Sequence, residues 1–134
     1  MKIVLRVDPY QQWFASVLVT IQGRTSEVAF KVDTGCNSLV LSHGTLKKFG
    51  ITANATTLSI LPDETVRLAS GEKSPFKRLG KVALSHTDGN HICHAPAICH
   101  ATRKTNDLMG TAVFRQFTGV NFHLAAQKYM ELLT

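Results

Sequence analysis

Phe30-Lys31-Val32-Asp33-Thr34-Gly35-Cys36-Asn37-Ser38-Leu39-Val40-Leu41-Ser42 places a polar triplet between two apolar runs. Asp-Thr-Gly is turn-forming, and its bland reading is a loop whose aspartate hydrogen-bonds its own backbone. That reading expects polar sequence on both sides. Here Val28-Ala29-Phe30-Lys31-Val32 and Ser38-Leu39-Val40-Leu41 read instead as core strands. A carboxylate carried between two such strands is partly desolvated, a setting suited to general acid–base chemistry.

Outward from the triplet, the pattern is mostly strands with turn punctuation. Ser16–Ile21 is rich in β-formers, Gly23-Arg24-Thr25-Ser26 reads as a turn, and Glu27–Val32 alternates, so the two runs predict a hairpin. Ser42 fits the N-cap of a short helix from His43 to Phe49, closed by Gly50. Between Leu58 and Leu84 strands are punctuated by Leu61-Pro62-Asp63, Ser70-Gly71-Glu72 and Pro75. Lys81–His86 leads into Thr87-Asp88-Gly89-Asn90, a hairpin signal. Ile92–Ile98 reads as a strand that Pro96 would place at an edge. A second short helix is expected over Thr111–Phe117, and one last strand over Asn121–Leu133. Short strands at this spacing with two brief helices predict an all-β chain, a small closed β-barrel.

The 134 residues, 44% hydrophobic and 18% charged, suit one domain spanning residues 1–134 and do not suit disorder. No apolar stretch reaches membrane-span length, and the start reads as no secretion signal, so a soluble cytoplasmic chain is expected. Fifteen Lys and Arg against nine Asp and Glu give a net charge of +6. The basic residues are scattered, without a run interleaved with stacking aromatics, so neither nucleic acid nor a membrane is expected as partner. Cys36, Cys93 and Cys99 cannot all pair within one molecule, and reduced thiols are the simplest account. The Asn54-Ala55-Thr56 sequon is then a chance match. His91, Cys93, His94, Cys99 and His100 lie within ten residues but lack zinc-site spacing. On a strand, Cys93, Ala95, Ala97 and Cys99 would share a core face, with His94 and His100 on the other.

Three segments, taken in order, resemble the retropepsin-like aspartic proteases, which include retroviral and retrotransposon enzymes, the proteolytic domain of DNA-damage-inducible proteins and small bacterial relatives. Phe30–Ser42 looks like the family's catalytic strand, turn and following strand; the helix ending in Phe49-Gly50-Ile51 is similar to that of non-viral members. Val66-Arg67-Leu68-Ala69-Ser70-Gly71-Glu72 resembles the flap hairpin, and Leu108-Met109-Gly110-Thr111-Ala112-Val113-Phe114 the segment before the C-terminal helix. The resemblance covers about residues 16 to 132.

It implies that Asp33 is the one catalytic carboxylate per chain, that Thr34 braces paired loops across a dimer, and that Gly35 lets the backbone pass beneath the carboxylates. Ala69, Ser70 and Gly71 would form the flap over a peptide or protein substrate. One Asp-Thr-Gly per chain implies a homodimer, two carboxylates sharing a proton, and peptide hydrolysis by activated water at acidic to mildly acidic pH; no cofactor and no metal are expected. Cys36, Ala112 and Ser70 depart from the residues common in relatives. The alternative is a catalytically weak or inactive peptide-binding or dimerisation module of the same fold. Whether the terminal stretches, Met1–Asp8 and Lys128–Leu133, pair within or between chains is open, as is whether Leu108, Met109, Val113 and Phe114 serve the core or a subunit contact.

Overall fold

The structure, a computed structural model, describes residues 1–51, 64–67 and 73–134. Along the chain come β1 (Lys2–Val7), β2 (Trp13–Ile21), β3 (Arg24–Val32), β4 (Leu39–Val40), α1 (His43–Lys48) and β5 (Glu64–Arg67). They are followed by β6 (Lys73–Ser85), β7 (His91–His100), β8 (Leu108–Met109), α2 (Thr111–Phe114), β9 (Gly119–His123) and β10 (Tyr129–Leu133).

Strand alternation builds the core. Ala15, Val17, Val19 and Ile21 on β2 face Val28 and Phe30 on β3, while Ser16 and Glu27 face out. Ile3 and Leu5 from β1, Leu84 from β6, and Met130 and Leu132 from β10 join the same cluster. Cys93, Ala95, Ala97 and Cys99 line it from β7, as their spacing predicts.

Six strands close into a barrel, in the order β6-β7-β4-β8-β3-β2, with β2 pairing back onto β6. Closure depends on β6, which runs thirteen residues and bends. Its register with β7 jumps between Arg78 and Gly80, leaving Leu79 as the extra residue of a bulge, and Gly80 takes φ +77°, where side chains are rarely tolerated. Past the bend, Leu84 reaches Val19 of β2. Outside the ring, β5 pairs with the start of β6, and β1, β10 and β9 extend from β2. The terminal strands thus pair within one chain, Ile3 opposite Met130.

Several expectations need correction. Pro75, expected to separate two strands, lies inside β6, opposite Thr65 of β5. The β2–β3 turn is the two-residue Gln22-Gly23, both at positive φ, so β3 already starts at Arg24. Pro96 lies in an interior strand, because β4 accompanies β7 only at Ala97 and Ile98 and so asks nothing of the missing N–H. The single strand expected over Asn121–Leu133 is the hairpin β9–β10, its turn carrying Ala126 at φ +50°, a position no glycine or proline announces. The second helix stops at Phe114, after which three-residue hydrogen bonds, Gln116 N to Val113 O and Phe117 N to Phe114 O, tighten the chain towards β9. Helix α1 ends one residue before Phe49, with Ser42 Oγ accepting from Thr45 N at 3.1 Å as its cap. No helix among the described residues is long and apolar enough to cross a membrane. The Asn54 sequon and the flap residues Ala69, Ser70 and Gly71 lie outside the described residues.

The loop between β7 and β8 is fastened by His100, which is 3% exposed. Its Nδ1 accepts from Thr102 N (3.0 Å) and Arg103 N (2.8 Å), so the ring proton sits on Nε2 and is donated to Ser74 Oγ at 2.5 Å. The proton on Nε2 also removes Ser74 as a nucleophile, since a base must accept there. His43 Nε2 donates to the His100 carbonyl at 2.6 Å, and Phe76 meets the imidazole edge-on. Burial lowers the His100 pKa, and the charge of Arg103 and the electrostatic influence of neighbouring His43 lower it further. A second ring proton would face two N–H donors. The neutral ring therefore contributes stability that is present above the ordinary histidine pKa and lost as pH falls through the depressed native value. Denaturant midpoints measured from pH 7 to pH 5 should fall more steeply for the wild type than for His100→Gln, which has no proton to gain.

Candidate active site

Asp33 follows directly on β3, whose last residues pair in parallel with β8, Lys31 with Leu108 and Val32 with Met109. Its N–H donates to Met109 O at 3.0 Å, carrying the ladder one step beyond the strand. The chain then turns, Cys36 N donating to Asp33 O at 3.1 Å, and returns as β4, which pairs antiparallel with the other side of β8. The short β8 is thereby threaded between the two arms of the loop that bears Asp33.

The crossing is tight. Gly110 N donates to Ser38 O (3.0 Å) and Thr111 N to Cys36 O (2.9 Å). A Cβ on Gly110 would lie 2.1 Å from the Cys36 carbonyl oxygen and 2.7 Å from that of Ser38. Both obstacles are backbone, so nothing nearby can yield.

Asp33 itself is half-buried, and Thr34 and Gly35 are exposed. Its Oδ1 accepts from Gly35 N at 3.0 Å, the self-contained turn of the bland reading, while Oδ2 takes no hydrogen bond among the described residues. The flanks decide differently from that reading: Phe30, Leu39 and Leu41 are fully buried. A Cβ on Gly35 would approach Oδ1 to 3.3 Å, so glycine keeps the carboxylate uncrowded. The arrangement presents one carboxylate oxygen from a braced turn, competent to accept or donate a proton.

Thr34 borders an apolar hollow of about 260 Å³ shared with Trp13, Val32, Phe122 and Leu124. Phe122 is 38% and Leu124 52% exposed. The adjacent β9 ends the strand order, leaving one edge without a partner strand among the described residues. Met109 and Val113 belong to the core, Phe114 packs against it, and Leu108 joins Cys36 on the small cluster of Val40, Phe76 and Ile98.

The Cys36 thiol donates to Ser38 O at 3.6 Å. Burial raises its pKa; the bond to Ser38 works against this, and the charge of Asp33 adds to the rise. That holds Cys36 as a packed thiol rather than a nucleophile. Ala112 is buried, without a side-chain partner to offer the turn.

Sequence reasoning missed Asp107. Its Oδ1 accepts from Ser42 N and its Oδ2 from Thr45 Oγ1, both at 2.7 Å, and its carbonyl accepts from Lys31 N at 2.9 Å. One residue thus ties the start of α1 and the end of β3 to the entry of β8. Its partners, the α1 cap Ser42 and Thr45 within α1, stand 65 and 62 residues away, so no local motif marks it.

No protein-family model and no curated protein matches the sequence. Among solved structures, the chain is similar to the crystal structure of a retropepsin-like aspartic protease from Rickettsia conorii, with a TM-score of 0.58 over 97% of this chain and 89% of that one. Identity is 17%, and the likeness is one of fold. The barrel described above is the retropepsin-like fold.

Two glycine substitutions separate the crossing from the helix. Gly110→Ala should cost about 3 kcal/mol or more, or prevent folding, because its methyl overlaps backbone. Gly44→Ala, whose Cβ meets only Ser42 Oγ at 4.0 Å, should be neutral or stabilise by up to about 1 kcal/mol. Thermal unfolding of the two variants beside the wild type reads both signs.

Proposed function

We propose that this chain is an aspartic endopeptidase whose active site forms between two copies, each supplying one Asp33. The observation that carries the reading is the Asp33-Thr34-Gly35 turn, braced by the Gly110 crossing in a retropepsin-like barrel, with one carboxylate oxygen taking no hydrogen bond among the described residues. Two such carboxylates side by side cannot both ionise easily and share a proton. The ionised one takes a proton from a water molecule, whose oxygen attacks the peptide carbonyl carbon. The protonated one donates to the carbonyl oxygen. The tetrahedral adduct then collapses with a proton passing to the departing nitrogen, giving a carboxylic acid and an amine without a covalent intermediate. In this reading Thr34 braces the paired turns, Gly35 spares the carboxylate, and Ala69, Ser70 and Gly71 cover a peptide substrate.

The apolar hollow beside Thr34 supports pairing of copies on that side. Phe122 and Leu124 stand half in solvent there, and covering a large apolar side chain is worth ~1.5–3 kcal/mol at full burial. Three free thiols, two of them buried, suit a reducing compartment such as the cytoplasm.

The direct test is cleavage of a peptide library between pH 3 and pH 7. Wild type should cut, and Asp33→Asn, folded and with an unchanged melting temperature, should not. Cleavage that survives the substitution rules the mechanism out. Light scattering behind size exclusion should show a dimer at micromolar concentration for the wild type and a shift towards monomer for Phe122→Asp and Leu124→Lys, with activity falling in parallel. A wild-type monomer without activity would favour a peptide-binding module of the same fold.

A further inference from the structure

On the flank of the Asp33 loop, apart from the hollow beside Thr34, lies a second cavity, of about 380 Å³. That volume is within the range of small-ligand sites. Three cations line it: Arg78 and Lys81 from β6, and Arg115 just past α2. Asn37 and Ser38 add polar groups, and Pro96 and Ile98 of β7 add an apolar wall. No aspartate or glutamate among the described residues lines it.

The gathering of charge has a structural cause. Residues three apart on a regular strand face opposite sides of the sheet. The bulge at Leu79 inserts one residue between Arg78 and Lys81, restoring their phase, and both line the same cavity. The kink that closes the barrel therefore also aims two cations one way. Arg115 is turned back on α2, its Nε donating to Thr111 O at 3.3 Å. The like charges of Lys81 and Arg115, brought to one hollow, repel, and an anion placed between them removes that cost. Guanidinium and ammonium groups hold carboxylate and phosphate oxygens through charge-assisted hydrogen bonds.

We propose that this cavity binds an oxyanion, a carboxylate or phosphate group, held by Lys81 and Arg115 with Asn37 and Ser38 as additional polar contacts. Ser38 is also the residue whose carbonyl receives Gly110 N, so an anion seated there would bridge β6 to the crossing beneath Asp33. The oxyanion has two possible sources, a free small anion or an acidic side chain of a peptide. The inference does not depend on proteolytic activity.

Calorimetric titration of the full chain tests it in two arms: inorganic phosphate and citrate in one, a glutamate-rich hexapeptide against its glutamine counterpart in the other. Saturable one-site binding is expected, weakened roughly tenfold or more by Lys81→Ala and by Arg115→Ala. Both side chains are exposed, so each variant should melt like the wild type without anion. The double variant Lys47→Ala/Lys48→Ala removes exposed positive charge on α1 and should bind like the wild type. Binding of phosphate or citrate assigns a free anion; binding of the glutamate peptide alone assigns an acidic side chain. Absence of saturable binding in both arms overturns the proposal. So does binding that survives both single substitutions, or that weakens equally in the Lys47/Lys48 variant, which would mark attraction by net charge alone.

Discussion

The close passage of Gly110 beneath the backbone of Cys36 and Ser38 is the constraint on which the rest of this structure depends. Two hydrogen bonds, from Gly110 N and Thr111 N, staple the two segments where no side chain fits between them. Because β8 runs between β3 and β4, the barrel is continuous only if that passage is made. The placement of Asp33 follows from it: its N–H extends the β8 ladder, and its carboxylate accepts from Gly35 N within the turn. Asp107 secures the entry to the same passage from α1 and β3, and the His100 lock secures the loop that leads into it.

A second constraint is the bend in β6. A flat strand could not pair with β7 along its length and also reach β2, and the bulge at Leu79 with Gly80 at positive φ supplies the turn. The same irregularity sets the direction of Arg78 and Lys81. Barrel closure and the cationic cavity thus share one cause, in the way that bulges commonly both bend a sheet and re-aim its side chains.

Local signals were legible where a residue's neighbours in sequence are also its neighbours in space. The β2–β3 hairpin follows from alternation, the start of α1 from Ser42, and the turn after β6 from Asp88-Gly89, whose loop closes with His86 N on Asn90 O at 2.7 Å. The small-residue face of β7 was equally readable from period two. Errors arose where tertiary context replaced a missing local signal. Ala126 turns the chain between β9 and β10 without a turn residue, and Pro96 is tolerated inside the sheet because its neighbour strand is two residues long.

At the candidate site, the sequence by itself determined the chemistry on offer: one carboxylate per chain, at the end of an apolar strand, followed by a turn that needs a glycine. Those properties belong to consecutive residues and are written in their order. Tertiary structure alone decided what holds that carboxylate and what surrounds it. Gly110, Asp107 and Met109 reach the Asp33 loop from about seventy residues downstream, and Arg115 comes to line one cavity with Lys81 only in the folded barrel. Contacts of that separation are selected by packing of the whole chain, which no local pattern encodes.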